Sequence, residues 1–213
     1  MRFSQFPRGA LALAGVLTVA IALAPLAVHA DEGWVITSFD ATYAINPDGT
    51  VDATEDIRVD FGTQQHHGIF RDIPVEYAYD EANNRLIRLT DIRVDDGASP
   101  HQIDVSDNGI NLRIRIGDPD VLVSGAQRYR IRYTINRGLN PFPGHDEFYW
   151  NVTGNEWPVR IAATSARVTV PAPGIQRVAC YQGPIGSTLD CDSSVSDASS
   201  DQAANGLSAR QRA

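Results

Sequence analysis

The chain has 213 residues, with 26 acidic and 18 basic side chains and a net charge of −8. Such an excess of acid repels phosphate over most of the surface, which argues against a general nucleic-acid-binding protein. A chain of this length suits one folded domain with a substantial core.

Residues 1–30 have the order of features that is typical of a secretory signal peptide. Arg2 and Arg8 precede a long apolar run, and the run closes at the small side chain of Ala30, just before Asp31. We therefore expect cleavage between Ala30 and Asp31, with an uncleaved membrane anchor as the alternative. The rest of the chain is then extracytoplasmic, either secreted or on the outer face of the cell membrane.

Polar and apolar side chains alternate along most of the remaining chain, as in strands with one face in a core. The alternation predicts strands over Trp34–Ile45, Val51–Phe61, Leu86–Val94, Leu112–Ile116, Tyr129–Ile135, Phe148–Val152 and Ala166–Val170. Turn signals separate these segments, and no amphipathic helix of useful length appears. The pattern predicts an all-β fold, an antiparallel β-sandwich of the immunoglobulin-like kind, over residues 31–191.

The chain has two cysteines, Cys180 and Cys191. Outside the cytoplasm two cysteines this close most simply form one disulfide, and they lack the companion ligands of a zinc motif. Residues 192–213 contain few large apolar side chains and cannot fold alone. They are either a flexible tail or the truncated start of further β structure.

The stretch HHGIFRDIP, residues 66–74, concentrates histidine, glycine, arginine and proline. A metal site there is disfavoured, because neighbouring residues of an extended chain, such as His66 and His67, point to opposite faces. Three or four converging ligands are needed, and only His145 with the two acids after it could complete the set. We therefore expect no metal and no cofactor.

A structural role for the same stretch follows from Glu55, which shares the apolar face of its strand. A buried carboxylate needs a partner, and Arg71 is the natural candidate. Gly68 permits a backbone shape that side chains forbid, and Pro74 fixes the exit, with Asp72 as a further candidate. We expect a loop pinned to the sheet by Glu55 and Arg71. The alternative is that Glu55 lies at a sheet edge, in water.

Arginines alternate along two predicted strands, Arg113 and Arg115 on one and Arg128, Arg130 and Arg132 on the other. If these strands pair, the five guanidinium groups share one surface that suits an anionic envelope polymer or a lipid headgroup. The alternative, favoured in so acidic a chain, is a ladder balanced by acids on neighbouring strands.

Two tryptophans flank a polar segment that includes Asn151. Trp150 has the same parity as the apolar residues beside it, which favours a place in the core. Trp157 is a core aromatic or part of a carbohydrate-binding platform, since an indole ring beside polar groups suits either role.

Five segments, in fixed order, resemble the domain-of-unknown-function 2207 family of predicted membrane proteins. They are DGTVDATEDIRVDF, HHGIFRDIP, YRIRYTI, DEFYWNVTGNEWPVRI and ARVTVPAP. The residues that match the family pattern are Glu55, Phe61, His67, Gly68, Ile69, Arg71, Ile73, Pro74, Tyr149, Trp150, Asn151, Gly154 and Trp157. The resemblance covers most of residues 34–191. Family members continue into further extracytoplasmic β structure and transmembrane helices, and no activity is established for them.

The resemblance implies an uncharacterised extracytoplasmic domain of a bacterial cell-envelope membrane protein. We expect a non-catalytic interaction or assembly module, not an enzyme, whose partner is an unknown envelope protein or polymer and not nucleic acid. Membrane association would come through the leader or a missing C-terminal part. The alternatives are a structural spacer and an envelope hydrolase that uses His67 or His145 with nearby carboxylates. A hydrolase predicts a cleft where histidine and carboxylate converge; a module predicts scattered groups, with Arg71 tied into the sheet.

Overall fold

The computed structural model describes residues 33–78, 82–171, 174–183, 186–197 and 205–212. The predicted signal peptide, with its cleavage site at Ala30 and Asp31, lies outside these residues. The strands are β1 (Val35–Ile45), β2 (Val51–Asp60), β3 (Ile69–Pro74), β4 (Glu76–Ala78), β5 (Asn84–Leu86), β6 (Arg88–Asp95), β7 (Ile103–Asn108), β8 (Asn111–Ile116), β9 (Ala126–Asn136), β10 (Leu139–Phe142), β11 (His145–Phe148), β12 (Ala163–Val170), β13 (Tyr181–Gln182), β14 (Leu189–Asp190), β15 (Ser193–Asp197) and β16 (Asn205–Arg212). Within the described ranges the secondary structure is all β, and no helix there is long and apolar enough to cross a membrane.

The larger sheet has seven strands in the order β15-β16-β12-β1-β2-β9-β6. The β1–β2 hairpin turns at residues 46–49, where the amide of Gly49 donates to the carbonyl of Asn46 at 3.0 Å. β1 and β12 run parallel, while the other neighbours in this sheet are antiparallel. The all-β and mainly antiparallel architecture is therefore confirmed, and the immunoglobulin-like arrangement stays a prediction.

A smaller sheet, in the order β3-β8-β7, packs against the larger one through a shared core. The inward side chains of β1, β2 and β9 form one core with those of β3 and β8, because alternate residues of each strand point the same way. Fully buried members include Phe39 and Ile57 from the larger sheet and Ile73 and Ile114 from the smaller. This core holds the two layers in the relation that builds the site.

Two sequence predictions are wrong in this part of the chain. Ile69–Pro74 forms strand β3 and not a loop; its alternation was masked because the inward position 71 holds an arginine while the outward Phe70 is 53% exposed. In the predicted strand Phe148–Val152, only Phe148 belongs to a strand, β11. The residues after it leave the sheets and fold over the edge of the core.

The segment after Cys191 contains β15 and β16, and β16 pairs with β12 over eight positions, from Ala163 opposite Arg212 to Val170 opposite Asn205. The predicted disulfide between Cys180 and Cys191 is confirmed, with the two Cα atoms 5.5 Å apart. It encloses the short β13–β14 hairpin, beside which the amide of Cys191 donates to the carbonyl of Cys180 at 3.1 Å.

Candidate functional site

Glu55 lies in the middle of β2, between β1 and β9, and its residue is 0% exposed. Its neighbours at the same parity, Ala53 and Ile57, are core residues, so the strand's alternation directs the carboxylate into the core. The alternative of an exposed carboxylate at a sheet edge is wrong, because β2 is a central strand. A charge in this place requires a complete set of partners.

Arg71 supplies the charge that neutralises Glu55, across the gap between the two sheets. Its Nε and Nη2 donate to the two oxygens of Glu55, each at 2.8 Å, in a bidentate pair. Nη1 donates to the carbonyls of Asp72 at 2.8 Å and Thr153 at 2.9 Å, and Nη2 also donates to the carbonyl of Val152 at 2.9 Å. All five N–H donors of the guanidinium are therefore used, as a buried arginine requires.

Aromatic rings enclose the ion pair. The guanidinium carbon of Arg71 lies 5.3 Å from the ring centre of Phe39 and 6.0 Å from that of Trp157, within the range of cation–π attraction. The hydroxyl of Tyr133 donates to Glu55 Oε1 at 2.7 Å. Burial opposes the charge on Arg71, but the carboxylate of Glu55 outweighs it and raises the pKa of that arginine. Burial, helped by the negative charge of Glu55, raises the pKa of Tyr133 well above its usual value.

The segment of residues 149–157 is held against the core by Arg71. Gly154 has a φ of +75°, and a Cβ there would lie 2.6 Å from Nη1 of Arg71, so only glycine allows this approach. Trp157 closes the segment by donating from its indole N–H to the carbonyl of Thr153 at 2.7 Å. Asn151 Oδ1 accepts from the amide of Gly154 at 3.1 Å. The segment is a cap over the ion pair, which explains why it does not continue as a strand.

Both tryptophans of this cap are partly buried and pack against the core. Trp150 stacks on Phe148, with ring centres 5.7 Å apart and an interplanar angle of 11°. Trp157 meets Phe39 edge to face at 6.4 Å. Trp150 thus packs against the core, on the side that its parity predicts, and Trp157 has a structural role of the same kind.

Asp72 forms a second ion pair, on the outer face of β3. It is 6% exposed and accepts from Nε and Nη2 of Arg113, at 2.8 and 2.7 Å. The guanidinium of Arg113 also lies 5.0 Å from the ring centre of Phe70, so it covers an exposed apolar side chain. The hydrogen bonds from Arg113 hold the pKa of Asp72 below its usual range.

This shift makes stability depend on pH in the acid range. Because folding lowers the pKa of Asp72 from about 3.9, the stabilisation is complete above that value and is lost as the pH falls through the folded pKa. We expect Arg113→Leu to be less stable than the parent near neutral pH and to lose less stability on acidification. Urea unfolding at a series of pH values measures this. Arg115→Leu is the control, since the contact of Arg115 with Asp104 is a long 3.9 Å. If Arg113→Leu lost as much unfolding free energy on acidification as the parent does, the prediction would be contradicted.

The five arginines singled out from the sequence do not share a surface. β8 carries Arg113 and Arg115 in the smaller sheet, whereas β9 carries the other three in the larger sheet. Arg128 and Arg130 approach Asp56, and Arg130 and Arg132 approach Asp95, the last at 2.9 Å. A ladder balanced by acids is the arrangement observed on β9.

The histidines take separate roles. His66 stacks on Phe61, with ring centres 4.3 Å apart, and Nδ1 of the exposed His67 lies 3.0 Å from the carbonyl oxygen of Val121. His145 stacks on Phe142 in the β10–β11 hairpin. In the described part of the chain no group of three or more histidine, cysteine, aspartate or glutamate side chains is arranged to hold a metal ion.

Gly68 and Pro74 bound β3. Gly68 has a φ of +128°, a conformation that L side chains rarely adopt and that glycine permits. Pro74 is buried and is the last residue of the strand. Both positions fix where β3 starts and stops, and so which residue of the strand faces Glu55.

The fold and the site define a class of protein: an all-β domain whose two main sheets are joined by the buried ion pair of Arg71 and Glu55. The chain belongs to the family described as the predicted membrane protein (DUF2207) N-terminal domain, whose model matches residues 35–212. It is similar to the Escherichia coli (strain K12) uncharacterized protein YciQ, with 29% identity over 131 residues. That match covers 61% of this chain and 21% of YciQ, so the chain spans about a fifth of that relative.

Distant likenesses to solved structures also exist. The native yeast LTA4 hydrolase matches with a TM-score of 0.49 and 8% identity, over 84% of this chain and 29% of that one. The M1 zinc metallopeptidase from Deinococcus radiodurans matches with a TM-score of 0.43 and 13% identity, over 84% of this chain and 39% of that one. Likeness at this level says nothing about activity.

Proposed function

We propose that this chain is the extracytoplasmic part of a bacterial cell-envelope membrane protein and acts there as a non-catalytic interaction or assembly module. The observation that supports this most is the state of Arg71. All five of its donors are used inside the protein, and its carboxylate partner is sealed in the core. Among the described residues, the two fully buried charges therefore serve architecture and have no free hydrogen-bonding group for a substrate.

The proposed location outside the cytoplasm is supported by the disulfide between Cys180 and Cys191, because such bonds persist in oxidising compartments. We expect the two cysteines, joined in the disulfide, to resist alkylation in intact cells that express the full chain. They should react once a reductant has converted them to thiols. A variant without residues 2–30 is the control, and its cysteines should react without reductant. Reactive thiols in the full chain would contradict the proposed address.

The rival function is a hydrolase that uses His67 or His145. In the described ranges neither histidine has a hydrogen bond to a carboxylate: His67 contacts a backbone carbonyl, and His145 contacts an aromatic ring. A general base needs a carboxylate or similar group to orient it and a nucleophile within reach. His67 shares a groove with His101 and Asp118, as a hydrolase would require, but no hydrogen bond joins either histidine to that carboxylate within the described residues. The missing contact supports the module.

Isolated bacterial cell-wall sacculi offer a direct test of module against hydrolase. The purified full chain should sediment with the sacculi in a saturable way and release no soluble sugar or peptide. A His145→Ala variant should sediment as the parent does, since the proposal gives His145 neither a chemical step nor a ligand contact. A His67→Ala/His145→Ala variant serves to test for cleavage. Release of soluble fragments by the parent, lost in that variant, would overturn the module in favour of the hydrolase.

A further inference from the structure

A groove of about 340 Å³ opens where the smaller sheet meets the start of β9. His67 lies at its wall just before β3, Gln102 just before β7, and Asp118 just after β8, while Gln127 and Tyr129 come from β9. The groove is thus built by the ends of four strands from both sheets, and not by one flexible loop. Its volume falls at the lower end of the roughly 300–1,000 Å³ that is typical of ligand sites.

Tyr129 is the feature of this groove that points to a ligand. Its residue is 2% exposed, and its ring lies against His101, with ring centres 5.1 Å apart. Its hydroxyl makes no hydrogen bond within the described ranges, although the residue lines the groove. Burial raises the pKa of Tyr129 to about 12, so the hydroxyl stays a neutral donor and acceptor in the physiological range. The hydroxyl oxygen itself is open to solvent at the groove, so it is free to bond a ligand.

Other lining groups have hydrogen-bonding capacity to spare. Gln127 donates from Nε2 to the carbonyl of Ser124 at 2.8 Å, which leaves its amide oxygen unused. His67 uses only Nδ1, toward Val121, and the side chain of Gln102 makes no hydrogen bond within the described residues. Amide, imidazole and phenol groups together both donate and accept, as each hydroxyl of a sugar does.

The charge of the lining selects among ligands. Asp118 carries the one fixed charge among the residues of the groove wall, and no arginine lines it. An anionic ligand would meet a carboxylate without a compensating guanidinium, which disfavours phosphate or uronate polymers. A neutral, hydroxyl-rich ligand meets donors, acceptors and the aliphatic surfaces of Val121 and Val123.

We propose that this groove binds a neutral oligosaccharide segment, which would give the domain a polysaccharide partner in the envelope. The proposal rests on the function proposed above and names the ligand class of that module. It assigns the hydroxyl of Tyr129 as the main hydrogen-bonding group, together with the side chains of Gln102 and Gln127. Trp157, whose ring would also suit sugar contact, is not part of this site, because it covers Arg71.

Titration calorimetry on the full chain tests the proposal with chitotetraose, cellotetraose and maltotetraose as neutral probes and tetragalacturonate as the anionic one. We expect saturable binding of at least one neutral probe in preference to the anion. Tyr129→Phe keeps the ring and should weaken binding about tenfold, the usual effect of losing one hydrogen bond in a site. Gln102→Ala alters an exposed side chain and should weaken binding without risk to the fold. Tyr149→Phe, at an exposed tyrosine outside the groove, is the control and should bind as the parent does.

Several results would overturn the groove proposal. These are no neutral probe bound at millimolar concentration, tighter binding of the anion, or equal affinity in the parent, Tyr129→Phe and Gln102→Ala. Sedimentation with sacculi that survives the groove substitutions would refute this site while leaving the module intact. Cleavage of a probe would refute the module itself, so the two failures are distinguishable.

Discussion

Arg71→Ala is expected to lower the free energy of unfolding by about 3–5 kcal/mol, because it leaves the carboxylate of Glu55 charged and unpaired in the core. The same substitution removes the donors that hold the carbonyls of Val152 and Thr153, so the cap of residues 149–157 loses its anchor. Urea unfolding followed by circular dichroism measures the loss. Arg115→Ala is the matched control, since that arginine has only a long, exposed contact and should change stability little.

A double variant separates the charge from the packing. Arg71→Met keeps most of the side-chain volume but leaves the charge of Glu55 without a partner, whereas Glu55→Gln/Arg71→Met removes both charges. We expect the double variant to recover part of the stability that Arg71→Met loses, because its buried groups no longer include an unpaired ion. Equal melting temperatures for Arg71→Ala and the parent would show that the pair does not hold the sheets together.

The Glu55–Arg71 pair was predictable from sequence because it obeys the alternation of a long strand. Glu55 occupies a position that every neighbour of the same parity gives to the core, and a buried carboxylate demands a cation. The strand that carries Arg71 was missed for the converse reason. Its alternation is short and inverted, with a charge inside and an exposed Phe70 outside, so a rule that places apolar residues inward misses it.

The features that the sequence did not reveal depend on contacts between backbone segments that are far apart along the chain. The carbonyls of Val152 and Thr153 complete the coordination of Arg71, yet a carbonyl leaves no trace in a residue pattern. The separation of Arg113 from Arg128 into different sheets is likewise a matter of topology, which alternation leaves open. The groove at Tyr129 was missed because its lining comes from four strand ends that are remote in sequence.

The largest backbone effect is expected at Gly68, where β3 begins. At its φ of +128°, a Cβ would lie 1.9 Å from the carbonyl oxygen of Ile116, and a Cβ on Gly117 would meet the carbonyl oxygen of His67 at the same distance. The two glycines therefore let the ends of β3 and β8 touch. Gly68→Ala should lower the free energy of unfolding by roughly 1–3 kcal/mol through backbone strain. It should lower it by a similar amount because the start of β3 and the end of β8 are forced apart.

Gly62→Ala isolates the contribution of close approach from that of conformation. Gly62 also has a positive φ, +56°, but an added Cβ there meets nothing within 4 Å, so the cost should be only about 1–2 kcal/mol. Urea unfolding of both variants gives the comparison, and equal midpoints would contradict the role of the Gly68–Gly117 contact.

Because this contact fixes the start of β3, it also decides that position 71 faces inward: a shift of one residue would turn Arg71 to solvent and leave Glu55 alone in the core. The two strongest effects predicted for this domain thus both depend on the register of a six-residue strand.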